Sequence, residues 1–117
     1  VYQWLMTRVD VCRDAGFTTD QLLLDQGFGF GKTFDHNVAR FRSLDRFVQS
    51  GYPVLVGVSR KTMIGDMTGR PIEQRVTGSA VAAAVAASYG AAILRVHDVA
   101  ETRDAMAVMQ TLTQGTQ

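Results

Sequence analysis

Val54-Leu55-Val56-Gly57-Val58-Ser59-Arg60-Lys61-Thr62 is the stretch whose reading decides the fold. Behind Pro53, the apolar residues Val54, Leu55, Val56 and Val58 form a run too short for a helix and rich in β-branched side chains. Such a run predicts a strand buried on both faces, the kind found in helix-covered parallel sheets. One residue after Val58 the chemistry changes to hydroxyls and cations, in Ser59, Arg60, Lys61 and Thr62. The carboxyl end of a parallel strand is where α/β folds place their ligands. The same change occurs twice more. Leu22-Leu23-Leu24 runs into Asp25, and Ala92-Ile93-Leu94 runs into Arg95-Val96-His97-Asp98. Apolar strands with polar tips, met three times, predict one site lined from three sides.

Outward from these strands the order reads α-βα-βα-βα. Leu5, Val9 and Cys12 fall at i, i+4 and i+7 and predict a helix from residue 2 to about 15, ended by Gly16. A strand over Gln21–Asp25 follows, then a loop from Gln26 to His36. Val38, Phe41, Leu44 and Val48 mark an amphipathic helix with Asp35 as N-cap and Gly51 just past its end. After the central strand, Gly65 and Gly69 predict a longer loop to Pro71. The alanine-rich stretch from about Glu73 to Tyr89 suits a helix lying close against a sheet, stopped by Gly90. Asp98 with Glu101 three residues on reads as a capping box. Ala105, Met106, Met109 and Leu112 read as the buried face of the last helix, and Thr113–Gln117 as a frayed tail.

Composition bounds the function. The chain has 117 residues, 46% of them hydrophobic, enough for one compact core. Twelve Lys and Arg against eleven Asp and Glu leave a net charge of +1, which makes no case for nucleic-acid or membrane-surface binding. No apolar stretch approaches the ~20 residues of a membrane span, and no signal peptide is visible. Cys12 is alone, so no internal disulfide forms and a cytoplasmic location is expected. Val1-Tyr2-Gln3-Trp4 opens in mid-helix pattern without an initiator Met, as a piece of a longer protein would.

Gly27-Phe28-Gly29-Phe30-Gly31-Lys32-Thr33 ends like a P-loop, but the glycine required five positions before the last one is Gln26. The dinucleotide fingerprint fails too, because position 32 is Lys. Glycines alternating with Phe28 and Phe30 point instead to a loop presenting rings to a flat ligand, or to a turn whose rings fill the core. Asp25 ends an apolar strand, where a carboxylate is costly unless it meets a donor. By itself it would serve equally as an N-cap or a loop ion pair. Arg60 and Lys61, taken singly, read as solvated cations. Arg95 and His97 alternate along their strand end and so point to the same side. Together they make a cradle for a phosphate-type anion, with a bidentate Arg and a titratable His.

The segments Leu22–Lys32, Val56–Gly65 and Ile93–Val99, with Arg75-Val76-Thr77-Gly78-Ser79-Ala80, resemble the dihydropteroate synthase family over nearly the whole chain. The resemblance is to the C-terminal part of that enzyme, strands six to eight of a TIM (β/α)8 barrel. It implies a partial barrel, three parallel strands each followed by a helix and preceded by one helix. Residues 1–117 would be the C-terminal portion of a single pterin-binding domain. It also implies a transferase of folate synthesis, a sulfonamide target, that joins a dihydropterin pyrophosphate to p-aminobenzoate and releases pyrophosphate. Asp25, Gly57 and Lys61 match the pterin-binding positions, and Phe30 and Thr62 those for p-aminobenzoate. Ser59, Arg95 and His97 match the pyrophosphate site, and Lys61, Arg95 and His97 the catalytic groups. Mg²⁺ is implied as cofactor, with its ligand expected outside this chain and none within it. Homo-oligomers through the helices near 76–89 and 100–112 are implied as well. Gln26 stands where the family usually has Pro, and Thr62 where Ser is usual. The alternative reading is a catalytically silent α/β module that binds anions or self-associates.

Overall fold

A computed structural model describes residues 2–18, 21–25 and 33–113. Its elements are α1 (Tyr2–Asp14), α2 (Phe34–Arg42), α3 (Leu44–Val48), β1 (Leu55–Val56), α4 (Thr62–Thr68), a 3₁₀ turn (Ile72–Gln74), α5 (Val76–Ser88), β2 (Ile93–Leu94) and α6 (Val99–Thr113). The central strand is the one predicted from Val54 onward. It pairs in parallel with β2, Leu55 opposite Ile93 and Val56 opposite Leu94. On its other edge Val54 bridges in parallel to Leu24. The Leu24 N–H reaches Pro53 O and the Leu55 N–H reaches Leu24 O, both at 2.8 Å, while the Arg95 N–H reaches Val56 O at 3.0 Å. Three segments therefore lie side by side in chain order, as consecutive βα units require.

The register decides which residues share a face. Side chains alternate along each strand, and paired residues point the same way. Leu24, Val54, Val56 and Leu94 face the helices. Val54, Val56 and Val58 are 1–3% exposed and join Leu44 and Phe47 of α3, Met63 and Ile64 of α4, Ala82 and Ala86 of α5, and Val9 of α1 in one core. Burying each of the larger side chains contributes about 1.5–3 kcal/mol. Asp25, Leu55, Gly57, Ile93 and Arg95 fall on the opposite face. There the expectation of burial on both faces fails. Leu55 is half-buried, while Leu23 and Ile93 are 43% and 46% exposed. Among the described residues no second layer covers this side.

Other local expectations are corrected. The strand predicted over Gln21–Asp25 shrinks to the single bridge at Leu24, because Gln21 is drawn into a turn. Its Oε1 accepts the Thr18 N–H at 2.9 Å and its own N–H goes to Thr18 O. Thr33, not Asp35, caps α2, its hydroxyl oxygen accepting the His36 N–H at 3.2 Å. The single amphipathic helix breaks at Ser43, whose hydroxyl turns back to Arg40 O at 3.0 Å. The long glycine loop is in fact α4. Gly65 lies inside it, where any Cβ would overlap the Arg75 guanidinium, and Gly69 ends it at φ 72°. The capping box does not form, because the Asp98 carboxylate is turned to Arg60. On α6 the buried residue is Thr102, bonded to Asp98 O, whereas Leu112 is 76% exposed. Leu112 continues the stripe from Met109, but no described element covers that last turn.

Candidate functional site

The polar strand tips gather on the open face. Gly57 is buried although it has no side chain, and the reason is Arg95. A Cβ at position 57 would lie 3.0 Å from both Nε and Nη2 of that guanidinium. The missing side chain thus seats Arg95; the backbone makes no demand for glycine here.

Ser59 is 7% exposed, and its hydroxyl links the tip of β1 to the tip of β2. Its oxygen accepts the His97 N–H at 3.3 Å and lies 3.0 Å from His97 Nδ1. Since Oγ already accepts a backbone proton, its own hydrogen can go to Nδ1. With Ser59 Oγ as the donor to Nδ1, the imidazole carries its proton on Nε2, where it is available to a ligand. Lys61 follows two residues later, half-buried. Burial lowers its ammonium pKa from the ordinary value, the positive Arg95 lowers it further, and Asp25 opposes both. Asp25, Lys61 and Arg95, each from a different strand end, therefore share one electrostatic field. Thr62 opens α4 and is exposed. Phe30 and the glycine-rich stretch 26–32 lie outside the described residues.

What sequence reasoning missed is the support. Arg60 forms a two-pronged ion pair with Asp98, Nη2 to Oδ1 at 2.6 Å and Nε to Oδ2 at 3.2 Å. Its N–H reaches Ser79 Oγ at 2.8 Å and its carbonyl accepts Arg75 Nη1 at 3.1 Å. No local pattern signals these contacts, since Arg75 and Ser79 read simply as the start of a helix. Among the described residues no cluster of three or more His, Cys, Asp or Glu could hold a metal ion. A groove of about 1130 Å³ between α2, α4 and α5 contains none of the strand-tip residues and lies on the helical side of the sheet.

Parallel strands backed by helices on one face, with a cation-rich constellation on the other, define a segment of a β/α barrel with its polar strand tips on the open side. The model for the pterin binding enzymes matches residues 1–97, and the chain belongs to that family. The dihydropteroate synthase of Haemophilus influenzae is 48% identical over 110 residues, 94% of this chain and 40% of the relative. That of Escherichia coli is 43% identical over 110 residues, 94% and 39% of the two chains. Among solved structures, the Xanthomonas albilineans enzyme superposes with TM-score 0.93 at 46% identity, covering 97% of this chain and 43% of that one. The Coxiella burnetii enzyme in complex with pteroic acid superposes with TM-score 0.87 at 40% identity, covering 92% and 40%. The chain spans about 40% of the length of the curated relatives it matches. The expected partial barrel is borne out.

Proposed function

We propose that this chain supplies the last three strands of a dihydropteroate synthase, as the C-terminal portion of a single pterin-binding barrel domain. The observation that carries the reading is that three adjacent parallel strand ends bring Asp25, Lys61, Arg95 and His97 to one face, with Arg95 seated on Gly57 and His97 on Ser59. Asp25 accepts hydrogen bonds from the amino-pyrimidine edge of the pterin, a donor pair suited to two carboxylate oxygens. Lys61 donates to the carbonyl side of the same ring. Arg95 and the Nε2–H of His97 take up the charge that develops on the departing pyrophosphate. Ser59 acts on that anion through His97, whose ring it orients, and Gly57 acts through Arg95, which it seats.

The C–O bond to pyrophosphate breaks first, leaving a resonance-stabilised pterin cation. The p-aminobenzoate nitrogen then attacks, the C–N bond forms and one proton leaves the nitrogen. Phe30 and Thr62 are assigned to the p-aminobenzoate side. Mg²⁺ would supply further charge neutralisation, but the described residues offer no ligand cluster for it. Sulfonamide sensitivity and a cytoplasmic location go with this reading. So does a homo-oligomer through α5 and α6, on which Val81, Val99, Val108 and Leu112 are all more than half exposed. No helix among the described residues is long and apolar enough to cross a membrane.

The test is turnover in the complete protein that carries this segment. Lys61→Ala and Arg95→Ala should each lower kcat/KM by about 100- to 1000-fold, the cost of losing one charge-assisted contact in a dry site. Near-wild-type turnover by either variant would sink the proposal. Residues 1–117 alone should bind pyrophosphate weakly and form no dihydropteroate. The binding half follows because Ser59, Arg95 and His97 all lie within the chain, and it is also what favours the anion-binding module as a second reading. Turnover by the complete protein separates the two.

A further inference from the structure

Arg60 is, among the described residues, the one non-glycine with a positive φ, at 59°. Left-handed backbone costs a residue with a Cβ, and it persists only where the surroundings over-determine it. Both backbone polar groups of Arg60 and one edge of its guanidinium are held. Ser79 of α5 takes its N–H, Arg75 binds its carbonyl, and the Asp98 carboxylate takes that edge with both oxygens.

These contacts have a pattern. Ser59 bonds His97, and the next residues along each chain, Arg60 and Asp98, pair as well. Two adjacent rungs thus tie the tip of β1 to the tip of β2. The chain then reverses at Arg60, leaving Ser59 buried toward His97 and bringing Lys61 into the field of Arg95 and Asp25. Stability alone does not account for this arrangement. The Arg60 side chain is 41% exposed and that of Asp98 16%, and an ion pair at the edge of solvent adds only modestly to stability even when two-pronged. Glycine would suit the backbone better at this position. The chain nevertheless carries the one side chain that can grip a carboxylate with a planar fork.

We propose that Arg60 is a positioning residue, its ion pair with Asp98 locking the left-handed turn so that Lys61 and His97 keep a fixed spacing around the departing pyrophosphate. This rests on the dihydropteroate synthase reading. The test uses the complete protein with Arg60→Gly, Asp98→Asn and the double variant, assayed well below their melting temperatures. Misplacement by a fraction of an ångström to an ångström should lower kcat about 10- to 100-fold in each single variant. KM for p-aminobenzoate should stay within about twofold, since that substrate takes its contacts from Phe30 and Thr62. Pyrophosphate product inhibition should weaken about tenfold. The double variant should be no worse than the more damaged single, because both changes remove one contact. Arg60→Gly should melt close to wild type, having lost strain along with the ion pair.

Wild-type kcat in either single variant would overturn the proposal. So would losses that multiply in the double variant, or a fall in kcat that only tracks a fall in melting temperature. Absence of turnover in the wild type would instead defeat the reading beneath it. In that case calorimetry with pyrophosphate on the same variants still decides, because unchanged affinity in Asp98→Asn overturns the positioning role without reference to catalysis.

Discussion

At Lys61 the tertiary environment works against the charge that the chemistry needs. Burial, then Arg95, lowers its pKa below the ordinary 10.5, with Asp25 opposing. The unfolded chain therefore holds this proton more tightly than the folded one. Below the folded pKa the charged amine counts against folding, and the deficit is relieved as pH rises from that value toward 10.5. Lys61→Met should accordingly melt no lower than wild type while turnover falls about 100-fold. A clear drop in melting temperature would contradict the assignment of strain to the charge. Asp98 carries the opposite sign. The hydrogen bond from Arg60 holds its pKa below 3.8, so its contribution is present above that pH and fades as pH falls through the folded value. Gly57→Ala tests a different kind of fit. The new Cβ would displace the Arg95 guanidinium, and pyrophosphate affinity should fall about tenfold with little loss of stability, since the arginine end can move. Unchanged affinity by calorimetry would separate Gly57 from the site.

Between elements, the tightest fit is where α5 crosses α4. A Cβ at Gly78 would meet Ile64 Cγ2 at 2.7 Å and Thr68 Cγ2 at 3.1 Å. Ile64 is fully buried, so the new methyl group would press on the core. Alanine normally gains about 0.5–1 kcal/mol over glycine inside a helix. Overpacking a closed core costs about 1–3 kcal/mol, so overpacking wins. Gly78→Ala should lower the urea midpoint by an amount equivalent to about 1 kcal/mol, and a raised midpoint would show that the helices can move apart. The alanine-rich pattern showed a helix made for close approach. It did not show which glycine that approach needs. Gly65 and Gly69 misled for the same reason: one makes room for Arg75 and the other ends a helix, and both look like loop residues in a linear reading.

Across the whole molecule the open face dominates. The body measures 44 × 42 × 21 Å, a slab with helices behind the strands and no described layer in front. Leu23 and Ile93 are exposed on that front, and β2 has no strand partner beyond β1 among the described residues. An uncovered apolar face beside an unpaired edge favours association. Residues 1–117 on their own should therefore self-associate, through this face or through α5 and α6. Light scattering over a dilution series measures it, and a folded monomer persisting at micromolar concentration would contradict the expectation.

The sequence by itself determined the alternation of strand segments with helices, though neither α4 nor the break at Ser43, and the three polar strand tips. Both are local properties, a short β-branched run and an abrupt change of chemistry at its end. It also set Asp25, Lys61, Arg95 and His97 apart as candidates, since charge at the end of an apolar strand is conspicuous in one dimension. Only the tertiary structure decided what holds them. Arg60 and Asp98 lie 38 residues apart, as do Ser59 and His97, and nothing within either segment specifies the other. They meet because β1 and β2 pair in one parallel register. A one-residue shift of that register would turn Arg95 away from Gly57 and His97 away from Ser59.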